Sequence, residues 1–120
     1  MSNKILGNYG EELARRHLEG LGYKILETKF RNKIGEIDII AKDGNTVCFL
    51  EVKTRRSLTC GQPYESVTKF KMRKIVQVAL SYLKYKFNSI DIPSRFDVIS
   101  ITTTTQTIQH IKNAFDLTYL

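Results

Sequence analysis

Four charged residues in two short runs carry the clearest chemical signal in this chain: Glu36, Asp38, Glu51 and Lys53. Three carboxylates on one surface repel one another unless positive charge lies among them. Lys53 is one candidate for that charge, and a bound divalent cation is another. Mg²⁺ and Mn²⁺ prefer oxygen ligands, which carboxylates supply. The residue types therefore indicate a site in which acids are balanced by a lysine or by a metal.

A β-hairpin is predicted to position these four residues. The runs 35–41 and 47–53 each have the pattern of a strand, and an Asp-Gly pair in the short polar break between them is typical of a hairpin turn. A two-residue turn at 43–44 would pair Lys42 with Asn45. This turn sets the register of the two predicted strands.

In that register Asp38 lies opposite Phe49, and Glu36 lies opposite Glu51. Directly paired residues share a face, as do residues two apart on one strand. All four charged side chains should therefore point to the same side of the sheet. Asp38 and Glu51 would be diagonal neighbours, roughly 7 Å apart at the backbone.

The other elements are predicted from periodicity and from breaker residues. They are a helix at 3–20, a strand at 23–30, a loop at 57–64, a second helix at 65–87, a strand at 95–103 and a further strand at 107–111. The order α-β-β-β-α-β-β predicts an α/β sandwich around a central mixed sheet. With 120 residues and 42% hydrophobic residues, the chain is expected to form one domain.

Each helix has an apolar face at helical spacing. In the first helix the face is expected to comprise Leu6, Tyr9, Leu13, His17 and Leu21. In the second helix it is expected to comprise Val67, Phe70, Ile75, Val78, Ala79, Tyr82 and Leu83. Glu11 and Glu12 flank the first face about equally, so the periodicity does not choose between them.

The charge balance is strongly basic and favours a polyanionic partner. Nineteen Lys and Arg against 12 Asp and Glu give a net charge of +7 and a pI of about 9.5. Nucleic acid is the first expectation and an anionic membrane surface the second. No apolar stretch approaches the roughly 20 residues of a membrane span, and residues 1–7 lack the apolar core of a signal peptide. We therefore expect a cytoplasmic protein with no membrane segment.

The two cysteines do not indicate a disulfide or a zinc site. Cys48 and Cys60 form no CxxC pair and have no histidine nearby in the sequence. Cys48 is expected to be a small core residue on the face of its strand opposite Glu51.

Metal-dependent phosphodiester cleavage would use the hairpin residues in distinct roles. Asp38 and Glu51 are placed to hold Mg²⁺ or Mn²⁺, and the carbonyl of Val52 is a candidate further ligand. Lys53 is placed to orient the attacking water and to offset the charge that builds on the phosphate. The alternative is an exposed hairpin whose Glu and Lys form ordinary salt bridges.

Basic residues next to this site are candidates for phosphate contacts. Arg55 and Arg56 follow Lys53 and would form a phosphate-binding rim, or would simply belong to a solvated loop. Lys71, near the start of the second helix, would contact backbone phosphates or lie on a solvated helix face.

The two strand runs resemble the core of the restriction-endonuclease-like, PD-(D/E)xK superfamily. The closest resemblance is to the small bacterial YraN family, which is related to archaeal Holliday-junction resolvases. It is carried by residues 35–41 and 49–55, then by Gly10-Glu11, residues 20–23, residues 61–68 with Lys71, residues 95–98 and residues 110–115. It covers nearly the whole chain, from about Gly7 to Phe115.

The resemblance implies a single nuclease-like domain over residues 1–120, with a metal site on the central strands. Asp38 and Glu51 would be metal ligands and Lys53 the catalytic lysine. The resolvases also use a Glu of the first helix four residues after a Gly, which favours Glu11. Two positions depart from the family pattern: Ile37 replaces the superfamily's loosely defined Pro, and Lys29 stands where the family more often has Asn.

The sequence therefore predicts a metal-dependent nuclease that hydrolyses phosphodiester bonds of DNA, with branched, Holliday-junction-like DNA as one substrate. A four-way junction has two-fold symmetry and needs two active sites, so a homodimer is expected in that case. The alternative is a nucleic-acid-binding protein that has the nuclease-like fold and no catalysis.

Overall fold

A five-stranded sheet with one helix on each face makes up the described part of the chain, which a computed structural model gives for residues 2–57 and 67–116. The elements are α1 (Asn3–Gly20), β1 (Lys24–Arg31), β2 (Glu36–Asp43), β3 (Thr46–Arg55), α2 (Lys69–Phe87), β4 (Ser94–Thr102) and β5 (Thr107–Phe115). Their order is the predicted one. Most of the predicted loop at 57–64, with Cys60, lies outside the described residues. Neither described helix has the length and apolar character needed to cross a bilayer.

The sheet is mixed, as predicted, with the strands in the spatial order β1-β2-β3-β4-β5. The pairs β1–β2, β2–β3 and β4–β5 are antiparallel, and β3–β4 is parallel. A parallel pair needs a long crossover connection, and α2 lies in that connection. Strand β3 is therefore central, and it carries Glu51 and Lys53.

Alternate residues of β3 face different helices. Val47 and Phe49 pack in the apolar cluster that contains the α2 side chains. Cys48 and Leu50 pack in the cluster that contains the α1 side chains Ala14 and Leu18. A strand buried on both sides in this way explains why its sequence is almost continuously apolar.

Helix α1 buries a narrower stripe than the sequence predicted. The buried residues are Leu6, Gly10, Ala14 and Leu18. The predicted face was wrong for Tyr9 and Leu21, which are 48% and 59% exposed. Gly10 allows a close approach to the sheet, because a Cβ built there would lie 1.7 Å from the Oγ1 atom of Thr54.

Helix α2 begins at Lys69, so residues 67 and 68 of the predicted helix precede it, and residues 65 and 66 lie outside the described residues. Thr68 caps it by accepting a hydrogen bond from the Lys71 amide, 3.1 Å away. Phe70 was predicted to be buried, but it is 68% exposed. The helix ends at Phe87, and the next residue, Asn88, has a φ of +57°, the left-handed conformation common at helix C-termini.

The hairpin register differs from the predicted one by two residues. Asp43 pairs with Thr46, so the loop is Gly44-Asn45, and Gly44 has the positive φ of +59°. A shift of two residues keeps every side chain on its predicted face. The pairing continues to Ile39 opposite Leu50 and ends there, just before Asp38.

Candidate functional site

In β2, the regular alternation of side chains between the two faces of the sheet is interrupted at Asp38. Ile37 packs with the α2 cluster and Ile39 with the α1 cluster, although residues two apart in a regular strand share a face. On the neighbouring strand β1, the register places Lys29 at the same level, and Lys29 has a φ of +51°. A positive φ is uncommon for Lys and is tolerated better by Asn, so the backbone of Lys29 is in an unusual conformation for its residue type.

The carboxylate of Asp38 is held between β2 and β3. Its Oδ2 atom accepts a hydrogen bond from the backbone amide of Val52, at 2.8 Å. Burial, and then the negative charge of Glu51, raises the pKa of Asp38 to about 7. Val52 makes this contact through its amide, while the role predicted for its carbonyl stays a prediction.

Glu51 points to the α2 side of the sheet and is almost completely buried. Its side chain is 5% exposed, and its Oε1 atom lies 2.9 Å from Nζ of Lys71 and 3.9 Å from Nζ of Lys53. Two ammonium groups therefore lie beside one buried carboxylate. The Lys71 contact was not predicted as an ion pair, because a sequence does not show which strand residue a helix residue will reach.

The two lysines respond differently to this environment. Burial, and then the positive charge of Lys71, lowers the pKa of Lys53. Burial also opposes the charge of Lys71, but the hydrogen bond and the charge of Glu51 outweigh it and raise the pKa of Lys71. Lys71 is therefore the principal counter-ion of Glu51.

Glu11 of α1 reaches the site from the other side of the sheet. It and Asp38 line a cavity of about 130 Å³, and Lys29 Nζ lies 2.9 Å from the Glu11 Oε1 atom. Burial raises the pKa of Glu11, and the charge of Asp38 adds to that effect. Glu12 lines the same cavity but pairs with Arg15 and Arg16. The structure therefore brings Glu11 to Asp38, as the resemblance implied.

The prediction that all four charged residues share one face was wrong for Glu36, although its charge adds to the effect of burial that raises the pKa of Glu11. Its carboxylate is about half exposed and pairs with Arg31 of β1 at 2.6 Å. The interruption at Asp38 changes which side of the sheet the preceding residues face. Glu36 is therefore a member of a surface ion pair.

Arg55 and Arg56 lie at the end of β3 that follows Lys53. The carbonyl of Arg55 accepts a hydrogen bond from the Thr103 amide, and that of Arg56 accepts one from the Thr104 amide. These bonds fix the backbone of both arginines to the turn after β4. Arg56 is exposed and Arg55 is half-buried.

A second buried polar cluster was only partly predicted. Asp97 of β4 is fully buried and accepts hydrogen bonds from Nε of Arg95 at 3.1 Å and from the Asn113 amide at 3.1 Å. His110 Nε2 lies 2.8 Å from the same carboxylate. Arg95 also donates to Tyr23. The Arg95–Asp97 ion pair expected from their spacing is therefore confirmed, and it belongs to a larger network that joins β4 to β5.

Cys48 is buried, as predicted. Burial raises the pKa of its thiol to about 11, so the thiol stays protonated at neutral pH. It is a core residue and has no place in the chemistry of the site.

The carboxylates of this site supply some of the oxygen ligands that a hard divalent cation needs. Asp38 and Glu51 supply two neighbouring carboxylates, and Glu11 supplies a third from α1. Within residues 2–57 and 67–116, no three His, Cys, Asp or Glu side chains form a ready metal-binding group. The acids of this site are balanced by lysines, so a metal would have to compete with Lys71 for Glu51.

Comparison with known proteins identifies close relatives along almost the full chain. A family model described as "Uncharacterised protein family UPF0102" matches residues 10–101. A UPF0102 protein of Geobacter metallireducens is 52% identical, over 99% of this chain and 98% of the relative. A second, from Geotalea uraniireducens, is 50% identical over 98% of this chain and 94% of its own length. A third, from Clostridioides difficile, is 48% identical over 96% of this chain and 100% of its own length.

Proposed function

This chain belongs to the YraN-like protein family UPF0102, and from the geometry of its site we propose that it is a metal-dependent nuclease of the restriction-endonuclease-like superfamily. It would hydrolyse phosphodiester bonds of DNA, including branched DNA of the kind that Holliday-junction resolvases cut. The mixed sheet with a helix on each face is compatible with that fold. The site residues, rather than the fold, carry the proposal.

The observation that carries the proposal is the juxtaposition of two carboxyl groups and two lysines at one point of β2 and β3. The negative charge of Glu51 adds to the effect of burial in raising the pKa of Asp38. Lys53 and Lys71 both approach the Oε1 atom of Glu51. A purely structural ion pair needs one acid and one base, whereas this site keeps a second acid whose ionisation is unfavourable.

A metal ion bound by Asp38 and Glu51 would supply positive charge beside the scissile phosphate. Asp38 is oriented for this task by the Val52 amide, and Glu11 would assist from α1. Lys53 would hold the attacking water in place and offset the charge that develops on the phosphate. Its lowered pKa makes the neutral amine, which could accept the proton that the attacking water loses, easier to form. Arg55, Arg56 and Lys71 would hold neighbouring phosphates.

One observation favours the alternative of a nucleic-acid-binding protein without catalysis. Lys71 already neutralises Glu51 at 2.9 Å, so the buried acid has a partner without any metal. With a net charge of +7, such a protein would still bind DNA. The two functions differ in whether a metal displaces Lys71 from Glu51.

A cleavage assay tests the proposal directly. Labelled linear duplex, single strand, flap and four-way junction are each incubated with Mg²⁺, Mn²⁺ or EDTA. The wild type should cut at least one of them with metal and none with EDTA, and Lys53→Ala should abolish cutting. Lys84→Ala is the matched control, since Lys84 is an exposed lysine in the last turn of α2.

Metal binding, measured without DNA, separates the two functions. Titration with Mn²⁺ should give a binding heat that Asp38→Asn removes. DNA binding with neither Mn²⁺ binding nor cleavage would establish the non-catalytic protein instead.

A further inference from the structure

An exposed apolar patch lies beside the candidate site and has no part in the proposed chemistry. Phe70 is 68% exposed and Ile34 is 40% exposed. Nζ of Lys74 lies 5.5 Å from the centre of the Phe70 ring, which is a cation–π contact. We refer to Phe70, Ile34 and Lys74 as the Phe70 patch.

The members of the patch lie on two elements that pack against each other. A Cβ built on Gly35 would lie 3.9 Å from Cβ of Lys74, so the backbone next to Ile34 lies against α2. Phe70 and Lys74 are four residues apart on that helix and therefore share a face. The patch thus spans the end of the β1–β2 connection and the first turns of α2.

The patch adjoins the site through both elements. Lys71, the residue after Phe70, contacts Glu51. On the other element, Gly35 leads directly into β2, which carries Asp38. Exposed cations flank the patch at Lys69 and Lys33.

We propose that the Phe70 patch stacks on an unpaired base of a DNA strand whose phosphates are held by Lys69 and Lys74. The proposal rests on the proposed function in taking DNA as the partner. An exposed ring among cations suits this ligand, since the base stacks on the ring while the phosphates meet the lysines. Bases inside a continuous duplex already stack on their neighbours and cannot use the ring. The patch therefore favours DNA with unpaired nucleotides over linear duplex.

Binding without cleavage tests this preference. Affinity is measured in EDTA for a single strand and for a duplex of the same length, with 2-aminopurine in the single strand to report stacking. Phe70→Ala should weaken single-strand binding by roughly 10-fold, since one stacked base is lost. Duplex binding should change less than about 2-fold, and quenching of 2-aminopurine by the protein should fall. Phe70→Trp should retain both affinity and quenching.

Tyr85 provides a matched control on the same helix. It is 80% exposed and lies fifteen residues after Phe70, about 22 Å along α2. Tyr85→Ala should leave both affinities unchanged. Because both side chains are exposed, both variants should fold, and their thermal unfolding is measured to verify this.

Three outcomes would overturn the inference. They are unchanged single-strand binding in Phe70→Ala, equal weakening for single strand and duplex, and a wild-type dimer that Phe70→Ala dissociates in sedimentation experiments. The last would assign the patch to self-association. These results are distinct from failure of the proposed function. If the protein never cuts DNA but binds single strands through Phe70, the inference stands and the nuclease proposal fails. If the protein cuts DNA and Phe70→Ala has no effect on binding, the nuclease proposal stands and the inference fails.

Discussion

Asp38 is in an unfavourable setting compared with the other acids of the described chain. Asp97 is more deeply buried, but its carboxylate accepts hydrogen bonds from Arg95 and from the Asn113 amide, and Nε2 of His110 lies beside it. Asp38 accepts one backbone hydrogen bond and has Glu51 for a neighbour. A fully satisfied acid serves stability, whereas an acid with a strongly raised pKa is typical of functional sites. The contrast supports assigning function to Asp38 and structure to Asp97.

The raised pKa of Asp38 predicts a pH dependence of stability. Burial and the charge of Glu51 move this pKa from 3.8 to about 7, so the folded protein keeps a proton that the unfolded chain releases between about pH 4 and pH 7. The metal-free protein should therefore lose stability as the pH rises through that range. Asp38→Asn carries no charge and can still accept from Val52. At about pH 8 it should be more stable than the wild type, by on the order of 2 kcal/mol.

Urea unfolding in EDTA at about pH 4 and about pH 8 measures this difference. The advantage of Asp38→Asn should be nearly absent at the lower pH. Asp91→Asn, an exposed acid before β4, is the control and should show no such trend. A variant that is less stable than the wild type at about pH 8 would contradict the assignment of burial as the cause.

Lys71 is expected to stabilise the metal-free protein and to oppose metal binding. Lys71→Met removes the 2.9 Å ion pair and leaves the more distant Lys53 as the lysine beside Glu51 among the described residues. The free energy of unfolding in EDTA should fall by about 1 kcal/mol, a modest value because the Lys71 side chain is 42% exposed. Mn²⁺ should bind more tightly, since one competing cation is gone.

Calorimetric titration with Mn²⁺ and urea unfolding in EDTA measure the two effects of Lys71→Met. Lys84→Met, at the far end of α2, should change neither. Weaker Mn²⁺ binding in Lys71→Met would show that Lys71 does not compete with the metal.

The packing of α1 against β3 depends on small residues. Gly10 and Ala14 are buried in the stripe that faces the sheet, and both contribute little to a periodicity based on large apolar side chains. The sequence pattern therefore selected Tyr9 and Leu13, about one residue away on the helix. This close approach also brings the neighbouring Glu11 to the cavity beside Asp38.

Gly10→Ala should destabilise the protein because its Cβ would lie 1.7 Å from Oγ1 of Thr54 and 2.8 Å from Cβ of the same residue. Overpacking of this kind costs about 1–3 kcal/mol. Gly7→Ala is the matched control on the same helix: a Cβ built there would meet nothing within 4 Å, and Ala should raise stability by up to about 1 kcal/mol. Thermal unfolding measures both variants, and Thr54→Ala should restore part of the loss in Gly10→Ala. Equal effects at the two glycines would contradict the close approach.

Sequence reasoning predicted the elements more accurately than the contacts between them. The order of helices and strands followed from periodicity, since it depends on neighbouring residues, whereas the site's place on the central strands was implied by the family resemblance. The hairpin register did not follow, because Asp43 joined the ladder and left Gly44-Asn45 as the loop. Asp38 nevertheless lies beside both Glu51 and Glu11, because a two-residue shift preserves the faces and the interruption of β2 lies at Asp38 itself.

The contacts of Lys29, Lys71 and Asp97 required the tertiary structure. Lys29 meets Glu11 across a helix–strand interface, and Lys71 meets Glu51 across another. Nothing in local spacing specifies such pairs. The exposure of Phe70 was missed because the predicted apolar face was drawn too wide. Phe70 lies about half a turn around α2 from the buried Ala79, so it points away from the apolar cluster although Val67 before it is buried.

The charge distribution of the protein separates two modes of DNA binding. Contacts between cations and phosphates are insensitive to DNA shape and weaken with salt, whereas a stacking contact depends on an unpaired base. On the proposed function, Arg55 and Arg56 at the end of β3 would act in the first mode, and the Phe70 patch would act in the second. The two arginines follow Lys53 on β3, and the Phe70 patch adjoins Lys71, so one DNA strand would contact both surfaces.

Arg56→Ala should weaken binding of single strand and duplex to a similar extent. Arg56 is exposed at the end of β3, and the loss of one phosphate contact should reduce the slope of log affinity against log salt by about one. Affinity is measured in EDTA at several salt concentrations for both DNAs. Lys86→Ala, an exposed cation in the last turn of α2, is the control and should leave the slope unchanged. A phosphate contact is possible with every DNA and always releases a counterion. If Arg56→Ala weakens binding of only one of the two DNAs, or leaves the salt slope unchanged, Arg56 does not belong to the phosphate-binding rim.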